Sequence, residues 1–357
     1  MANLFKCYPA FLLAWVVTSG LALWLWPCLR WLALGLVLVT TLRIRFREVK
    51  VITKFAVQVA SPPTMASDTD MMFFMHGWPD YGKVWEPLIK HFSQTYICVN
   101  YDMPQFNHPD AGFDWGYSFD ELTDCLAMTL QDALSRHQRD SCILVLHDWG
   151  SVLGCMLQRK YPSLVHRMII HDVAVPVGDA QMHCALTPVV LLGALVYQWW
   201  LALAFLTSSM PILGPPVGDA MTRTMTSGME APLCHTEDDL RRTRAFMNYP
   251  YFYFSLYYIA ERLRLMPFYD ARQKILTGAP PKVPTLFLYA TKFFHPKAFE
   301  QELRERLDCD AVYVKKDSVK LTHWFMYEHP DVAVPLIDNW HLRGVKQGDY
   351  TRKVTGF

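Results

Sequence analysis

The chain has 357 residues, 52% of them hydrophobic, 14% aromatic and 19% charged, with a net charge of +1. That is apolar material for one large core or two smaller ones, and the charged fraction falls below the roughly 25% usual in soluble domains. No basic tract of the kind that tracks phosphate backbones accompanies the near-neutral balance, so a nucleic-acid partner is not indicated.

The first segment is unlike the rest. Pro9 to Cys28 carries no charge and is apolar throughout, enough for one bilayer span of about 20 residues. Arg30 follows, then a second apolar run to Leu42 and a basic cluster of Arg43, Arg45, Arg47 and Lys50. Leu and Trp continue where small residues would mark a cleavage site. Residues 1–50 therefore read as a retained membrane anchor, either one span or a short hairpin whose Arg30 snorkels to the headgroups. An apolar helix packed on the following domain is the alternative. The basic cluster places the downstream chain on the cytosolic side, with the endoplasmic reticulum as the expected membrane. The cysteines, nine in number with no C-x-x-C pair, sit mostly in apolar runs and read as buried thiols rather than a disulfide framework or zinc site.

From Val51 onward, strand-like runs at Val51–Val59, Met71–Met75, Tyr96–Tyr101, Cys142–Leu146, Met168–His171, Thr285–Ala290 and Ala311–Lys315 alternate with helical patterns. That rhythm predicts an α/β fold with a mostly parallel sheet covered on both faces. Ser118 and Glu121 form a capping-box pattern at the start of one helix. The rhythm breaks between Pro176 and Pro281. No strand pattern occurs there, and Ala180 to Gly218 contains no Asp, Glu, Lys or Arg. The predicted organisation is a core of residues 51–175 and 282–357 interrupted by a helical cap over 176–281.

The chemistry concentrates in a few phrases. In Ile143-Leu-Val-Leu-His-Asp-Trp-Gly-Ser151, a buried strand runs into Asp148 and a helix begins at once. A sharp strand-to-helix turn pushes such a side chain out at the carboxyl end of a sheet. The helix start also favours negative charge, so a carboxylate there stays ionised and can attack carbon. A residue that merely caps the helix is the other reading. A second phrase, Met75-His-Gly-Trp-Pro-Asp80, ends an earlier strand. A third, Leu321-Thr-His-Trp-Phe325, follows the last strand and is trailed by Glu328, His329 and Pro330.

The HDWGS and HGWP phrases together resemble the epoxide hydrolases and haloalkane dehalogenases, α/β-hydrolases that use Asp where esterases use Ser. The resemblance runs from about Val51 to the end. It implies Asp148 as nucleophile, the backbone N–H groups of Trp78 and Trp149 as an oxyanion hole, and His323 as general base, with His329 as its rival. The acid that orients the base is absent from the place many relatives keep it, because Leu288 to His295 holds no carboxylate. The alternative place in the superfamily, after the strand following the elbow helix, holds Asp172, which could also simply cap a turn.

Epoxide hydrolases protonate the leaving oxygen with cap tyrosines. Tyr197 resembles the first of these, and Tyr251 is the choice for the second, with Tyr253, Tyr257 and Tyr258 as rivals. Trp78 stands where dehalogenases commonly place a halide-binding Asn, which favours the epoxide reading, while Trp199 and Trp200 keep a dehalogenase open. Three departures stand out. Leu146 occupies a position usually held by Gly or Ala, Thr322 stands where Gly commonly precedes the base, and Asp102 to Phe106 replaces a glycine-containing loop. They motivate a third alternative, a catalytically silent membrane-bound scaffold. The expectation is hydrolysis of small lipophilic epoxides to vicinal diols through a covalent aspartyl ester at a lipid membrane, with no metal or organic cofactor.

Overall fold

The computed structural model describes residues 53–108, 112, 114–173, 188–210, 212–229, 231–262, 282–290, 309–316 and 319–342. The expected anchor over 1–50 lies outside them. Among the described residues no helix is long and apolar enough to cross a membrane.

Among the described residues seven strands form one sheet in the order β1-β3-β2-β4-β5-β6-β7. They are β1 (Val57–Ala60), β2 (Met71–Met75), β3 (Ile97–Tyr101), β4 (Cys142–His147), β5 (Val165–His171), β6 (Thr285–Tyr289) and β7 (Cys309–Tyr313). Only β1 pairs antiparallel, with β3, and the remaining pairs are parallel. Every predicted run contains or overlaps a strand, Met71–Met75 with the same ends and the others with one or both ends shifted. Strand β1 starts at Val57 rather than Val51, and the Phe55 N–H before it donates to Thr129 Oγ1 at 2.9 Å.

The central strands read as unbroken apolar runs because both sheet faces are covered. Met71, Phe73 and Met75 join one buried cluster, and Met72 and Phe74 join the other. The first face takes α2 (Phe119–Arg136) and α3 (Trp149–Lys160), and the second takes α1 (Glu86–Phe92), α8 (Phe325–Glu328) and α9 (Pro330–Leu342). The predicted capping box is formed at the start of α2. Ser118 Oγ accepts the Glu121 N–H at 3.4 Å, and Glu121 Oε2 accepts the Ser118 N–H at 2.8 Å.

Between β5 and β6 the described residues are helical: α4 (Pro188–Ser208), α5 (Gly214–Thr226), α6 (Glu237–Arg242) and α7 (Tyr249–Arg262), with a 3-10 turn over Ala245–Asn248. Leu201, Phe205, Met247, Tyr251 and Phe252 from these helices enter the same buried cluster as β2, β4, α2 and α3. The inserted helices thus close over the carboxyl ends of the strands.

Candidate active site

Asp148 stands between β4 and α3 with φ 51° and ψ −124°. For a residue with a Cβ this left-handed conformation costs about 1–3 kcal/mol and persists only where its surroundings enforce it. Two glycines make the turn possible. A Cβ on Gly77 would lie 2.3 Å from Asp148 Oδ1, and one on Gly150 would lie 2.1 Å from the Met75 carbonyl oxygen. Strand β2 and helix α3 therefore approach too closely for any side chain at either place.

The usual small residue before the elbow is Leu146, fully buried. It fits because α3 carries Gly154 opposite it, where a Cβ would sit 2.5 Å from Leu146 Cδ1. Bulk on the strand is matched by its absence on the helix.

Around Asp148 the expected groups converge. The Trp78 N–H donates to Asp148 Oδ1 at 2.8 Å. Trp149 opens α3, so its N–H has no acceptor within the helix. His323 Nε2 lies 3.9 Å from Asp148 Oδ2, and His323 Nδ1 is hydrogen-bonded to Asp172 Oδ2 at 2.9 Å. Asp172 is buried and also left-handed, at φ 55°. Its Oδ1 accepts the Ala290 N–H at 2.8 Å, and its own N–H donates to the Leu288 carbonyl at 2.8 Å. The carboxylate is thus moored at the end of β6, the stretch that supplies no acid of its own. Burial pulls the His323 pKa down, but the Asp172 hydrogen bond and the charges of Asp172, Asp148 and Asp80 outweigh it and raise the imidazole above its ordinary 6.5. His329 is placed elsewhere, 3.4 Å from Lys316 Nζ.

Over the carboxylate, Tyr197 from α4 and Tyr251 from α7 meet hydroxyl to hydroxyl at 2.5 Å. The Tyr251 ring packs edge-on against Trp78 and Trp149, with centroids 5.4 and 5.2 Å away. Burial first, with the Asp148 charge contributing, holds both phenols above their ordinary pKa, so they keep their protons at neutral pH. Tyr253 instead packs on Phe252 and Tyr257.

Several partners of this constellation escaped the sequence reading. His76 donates to or accepts from nothing at Asp148. Its Nε2 accepts the Met103 N–H at 2.9 Å, fixing the unusual Asp102–Phe106 loop. The Trp78 indole donates to Asn248 Oδ1 at 2.8 Å, and Asn248 Nδ2 donates to Thr222 Oγ1 at 2.8 Å, tying the turn after β2 to α5 and the start of α7. Thr322 accepts the Trp324 N–H at 3.0 Å and donates to Glu328 Oε2 at 2.6 Å, bracing the loop that carries His323.

Beneath the site lies a second Asp–His couple, fully buried. His147 Nε2 is 3.1 Å from the His323 carbonyl oxygen, so Nε2 carries the proton that is donated. Its Nδ1 lone pair then faces Asp80 Oδ2 at 3.5 Å, and that same oxygen accepts the Trp324 indole N–H at 2.8 Å. Burial raises the Asp80 pKa to about 6 and lowers that of His147 to about 3. Both residues stood in the motifs, at Asp80 of the HGWPD phrase and His147 of HDWGS. A polar residue at the inner end of an otherwise apolar strand could have singled out His147, whereas Asp80, in the loop after β2, carries no such mark.

A model of the α/β hydrolase fold matches residues 70–231. A nematode epoxide hydrolase 1 (Caenorhabditis elegans) is 31% identical over 114 residues, 32% of this chain and 27% of that protein. The chain thus spans about a quarter of the length of the curated relatives it matches. An inhibitor-bound epoxide hydrolase from Bacillus megaterium superposes with a TM-score of 0.55 at 16% identity, covering 83% of this chain and all of that one (100%). A loop variant of a haloalkane dehalogenase from Bradyrhizobium elkanii gives 0.51 at 16% identity, over 80% of this chain and 96% of that one. The fold is that of the α/β-hydrolases, and the sequence is similar to epoxide hydrolases.

Proposed function

We propose that this protein hydrolyses small lipophilic epoxides to vicinal diols through an ester on Asp148. The observation that carries the reading is the Tyr197–Tyr251 hydroxyl pair packed on the two tryptophans that flank the Asp148 carboxylate. Two protonated phenols above a carboxylate suit a ring that opens by attack at carbon while its oxygen takes up a proton.

In the first step Asp148 Oδ2 forms a bond to an epoxide carbon, the ring C–O bond breaks, and a tyrosine proton moves to the departing oxygen. Oδ1, already bonded to the Trp78 N–H, becomes the ester carbonyl. In the second step His323 Nε2 takes a proton from water, whose oxygen attacks the ester carbon. The Trp78 and Trp149 N–H groups hold the resulting oxyanion, a contribution typically of a few kcal/mol per donor. Collapse expels the diol oxygen, and the protons on His323 and on the new carboxyl return to that oxygen and to the tyrosinate. Asp172 orients the base, and the chain needs no metal or cofactor for either step.

The haloalkane reading requires free donors for a halide, and the Trp78 indole is already committed to Asn248. Lipophilic substrates, and residues 1–50 as an anchor in the endoplasmic reticulum membrane with this domain on the cytosolic side, belong to the same proposal. The test is a single turnover in ¹⁸O-labelled water. The first diol should be unlabelled, with the label retained on Asp148. Label in that first product, or unchanged diol formation by Asp148→Ala, rules the covalent route out. No activity in wild type or variant toward a panel of lipophilic epoxides and haloalkanes favours a silent scaffold.

A further inference from the structure

Six of the ten exposed large hydrophobic side chains among the described residues fall between Trp199 and Val217, which marks one patch rather than ordinary scatter. The patch follows the α4–α5 hairpin. Leu201, Ala202, Ala204, Phe205 and Ser208 form the buried face of α4, while Trp199 and Leu203 line its outer side one helical turn apart, and Met210 is exposed just past its end. A surface helix normally turns polar residues outward, yet α4 holds no charged residue at all. At the hairpin tip Ile212 is 90% exposed and Leu213 72%. Ile212 moreover has φ 68°, a conformation that a β-branched residue adopts only against strain. Strain that presents an isoleucine to water gains nothing unless something apolar receives it.

We propose that the α4–α5 hairpin docks on the surface of a phospholipid bilayer, with Ile212 and Leu213 entering the acyl boundary. The same chain supplies the reason to choose lipid. Residues 9–28 are uncharged and apolar, of the length of one bilayer span, and on the anchor reading proposed above they hold a membrane near this domain. The patch has no charge from which a protein partner could gain complementarity, and Trp199 is of the type that settles at headgroup level. Helix α4 does not span. Its inner face is fixed in the core, so the hairpin lies in the interface as an amphipathic element does. It is rigid enough for this, because a Cβ on Gly218 of α5 would lie 2.6 Å from the Ala204 carbonyl oxygen of α4.

The consequence for substrate, which rests on the hydrolase reading, is that Tyr197 sits two residues before Trp199 on the docked helix. The Tyr197 hydroxyl points the other way, to Tyr251 over Asp148, so the site lies on the inner side of the helix whose outer side meets the phase in which a lipophilic epoxide dissolves.

The experiment places p-benzoylphenylalanine at Ile212, at Leu213 and, as a control on α2, at the exposed Met128 of the full-length chain. Each protein is irradiated with phosphatidylcholine vesicles, and adducts are identified by mass spectrometry. Lipid adducts at positions 212 and 213 several-fold above those at 128 are expected. Equal labelling at all three, adducts to residues 1–52, adducts to a second copy, or flotation with vesicles without lipid adducts at 212 and 213 each overturn the docking surface. The readout needs no turnover. A protein inert toward epoxides that still labels lipid loses the hydrolase reading alone, and a diol-forming protein without lipid adducts loses the docking surface alone.

Discussion

Two Asp–His couples lie within a few ångströms of each other, their imidazole centroids 4.3 Å apart, and they have opposite fates. In the upper couple Asp172 faces His323 at 2.9 Å, its other oxygen is satisfied by a backbone N–H, and the imidazole pKa is raised. In the lower couple the contact opens to 3.5 Å, the carboxylate is shared with an indole, and burial depresses the imidazole to about 3. Residue type is the same in both. What separates a base from a strut is whether the acid is within hydrogen-bonding distance, and whether the second ring nitrogen faces the Asp148 carboxylate or a backbone carbonyl. His323 turns Nε2 toward Asp148, while His147 spends its Nε2 proton on the His323 backbone.

The comparison breaks most sharply at His323. His323→Gln should form the ester yet hydrolyse it at least about 10³-fold more slowly, trapping a covalent adduct visible by intact-protein mass spectrometry. Equal loss of both steps would refute the division of labour. Asp172→Asn should slow ester hydrolysis by about 10²–10³-fold, since it removes the orienting partner while leaving the attacking carboxylate. It should also move the pH profile. The base works only when neutral, so hydrolysis rises with pH through the His323 pKa, above 6.5 in the intact protein. Without the Asp172 charge, burial dominates and that midpoint should fall. A profile unmoved in Asp172→Asn would detach the two residues.

The lower couple should respond more mildly in rate and more clearly in stability. Removing its imidazole in His147→Phe should cost about 10-fold in turnover and about 1–3 kcal/mol in stability, because the His323 carbonyl loses its donor. Asp80 carries a pH signature. Its pKa is about 6 folded against an ordinary 3.8, so the stability it adds is present below 3.8 and is lost as pH rises through 6. That loss is about 3 kcal/mol by linkage. Asp80→Asn keeps an acceptor for Trp324 and should flatten this slope, as read by urea denaturation between pH 4 and 8. A slope unchanged in the variant would show that Asp80 is ionised throughout. The smallest effect concerns the floor alone: Gly154→Ala should destabilise by about 1–3 kcal/mol through overpacking against Leu146, and Leu146→Ala in the same chain should relieve part of it.

The upper couple was legible in the sequence and the lower one was not. Asp148, His323 and Asp172 each follow the end of an apolar strand or lie in a recognisable phrase, so position alone pointed to them, and all seven strands were visible as apolar runs. Asp80 and His147 lie in the same phrases, but their role depends on which nitrogen of His147 meets a carbonyl 176 residues away. No local pattern encodes that. The choice of Tyr251 among neighbouring tyrosines had the same difficulty. Tyr251 and Tyr253 differ in which side of α7 they occupy, the first against Trp78 and Trp149 and the second against Phe252 and Tyr257. Strand ends drifted by a few residues for an ordinary reason: the stretch Val165 to Arg167 is less apolar than the centre of β5, but Val165 and Arg167 still find ladder partners on β4 across a register shift.

Leu146 and Gly154 have a reach beyond this molecule. Across the seam between β4 and α3 the Leu146 side chain occupies the space that a Cβ on Gly154, eight positions along the chain, would need. Among homologues, a bulky aliphatic at the first of these sites should be accompanied by glycine at the second, and a small residue at the first should release the second to carry a side chain. A search pattern that insists on a small residue before the elbow would pass over such chains, whereas one written for the pair of positions would retrieve them.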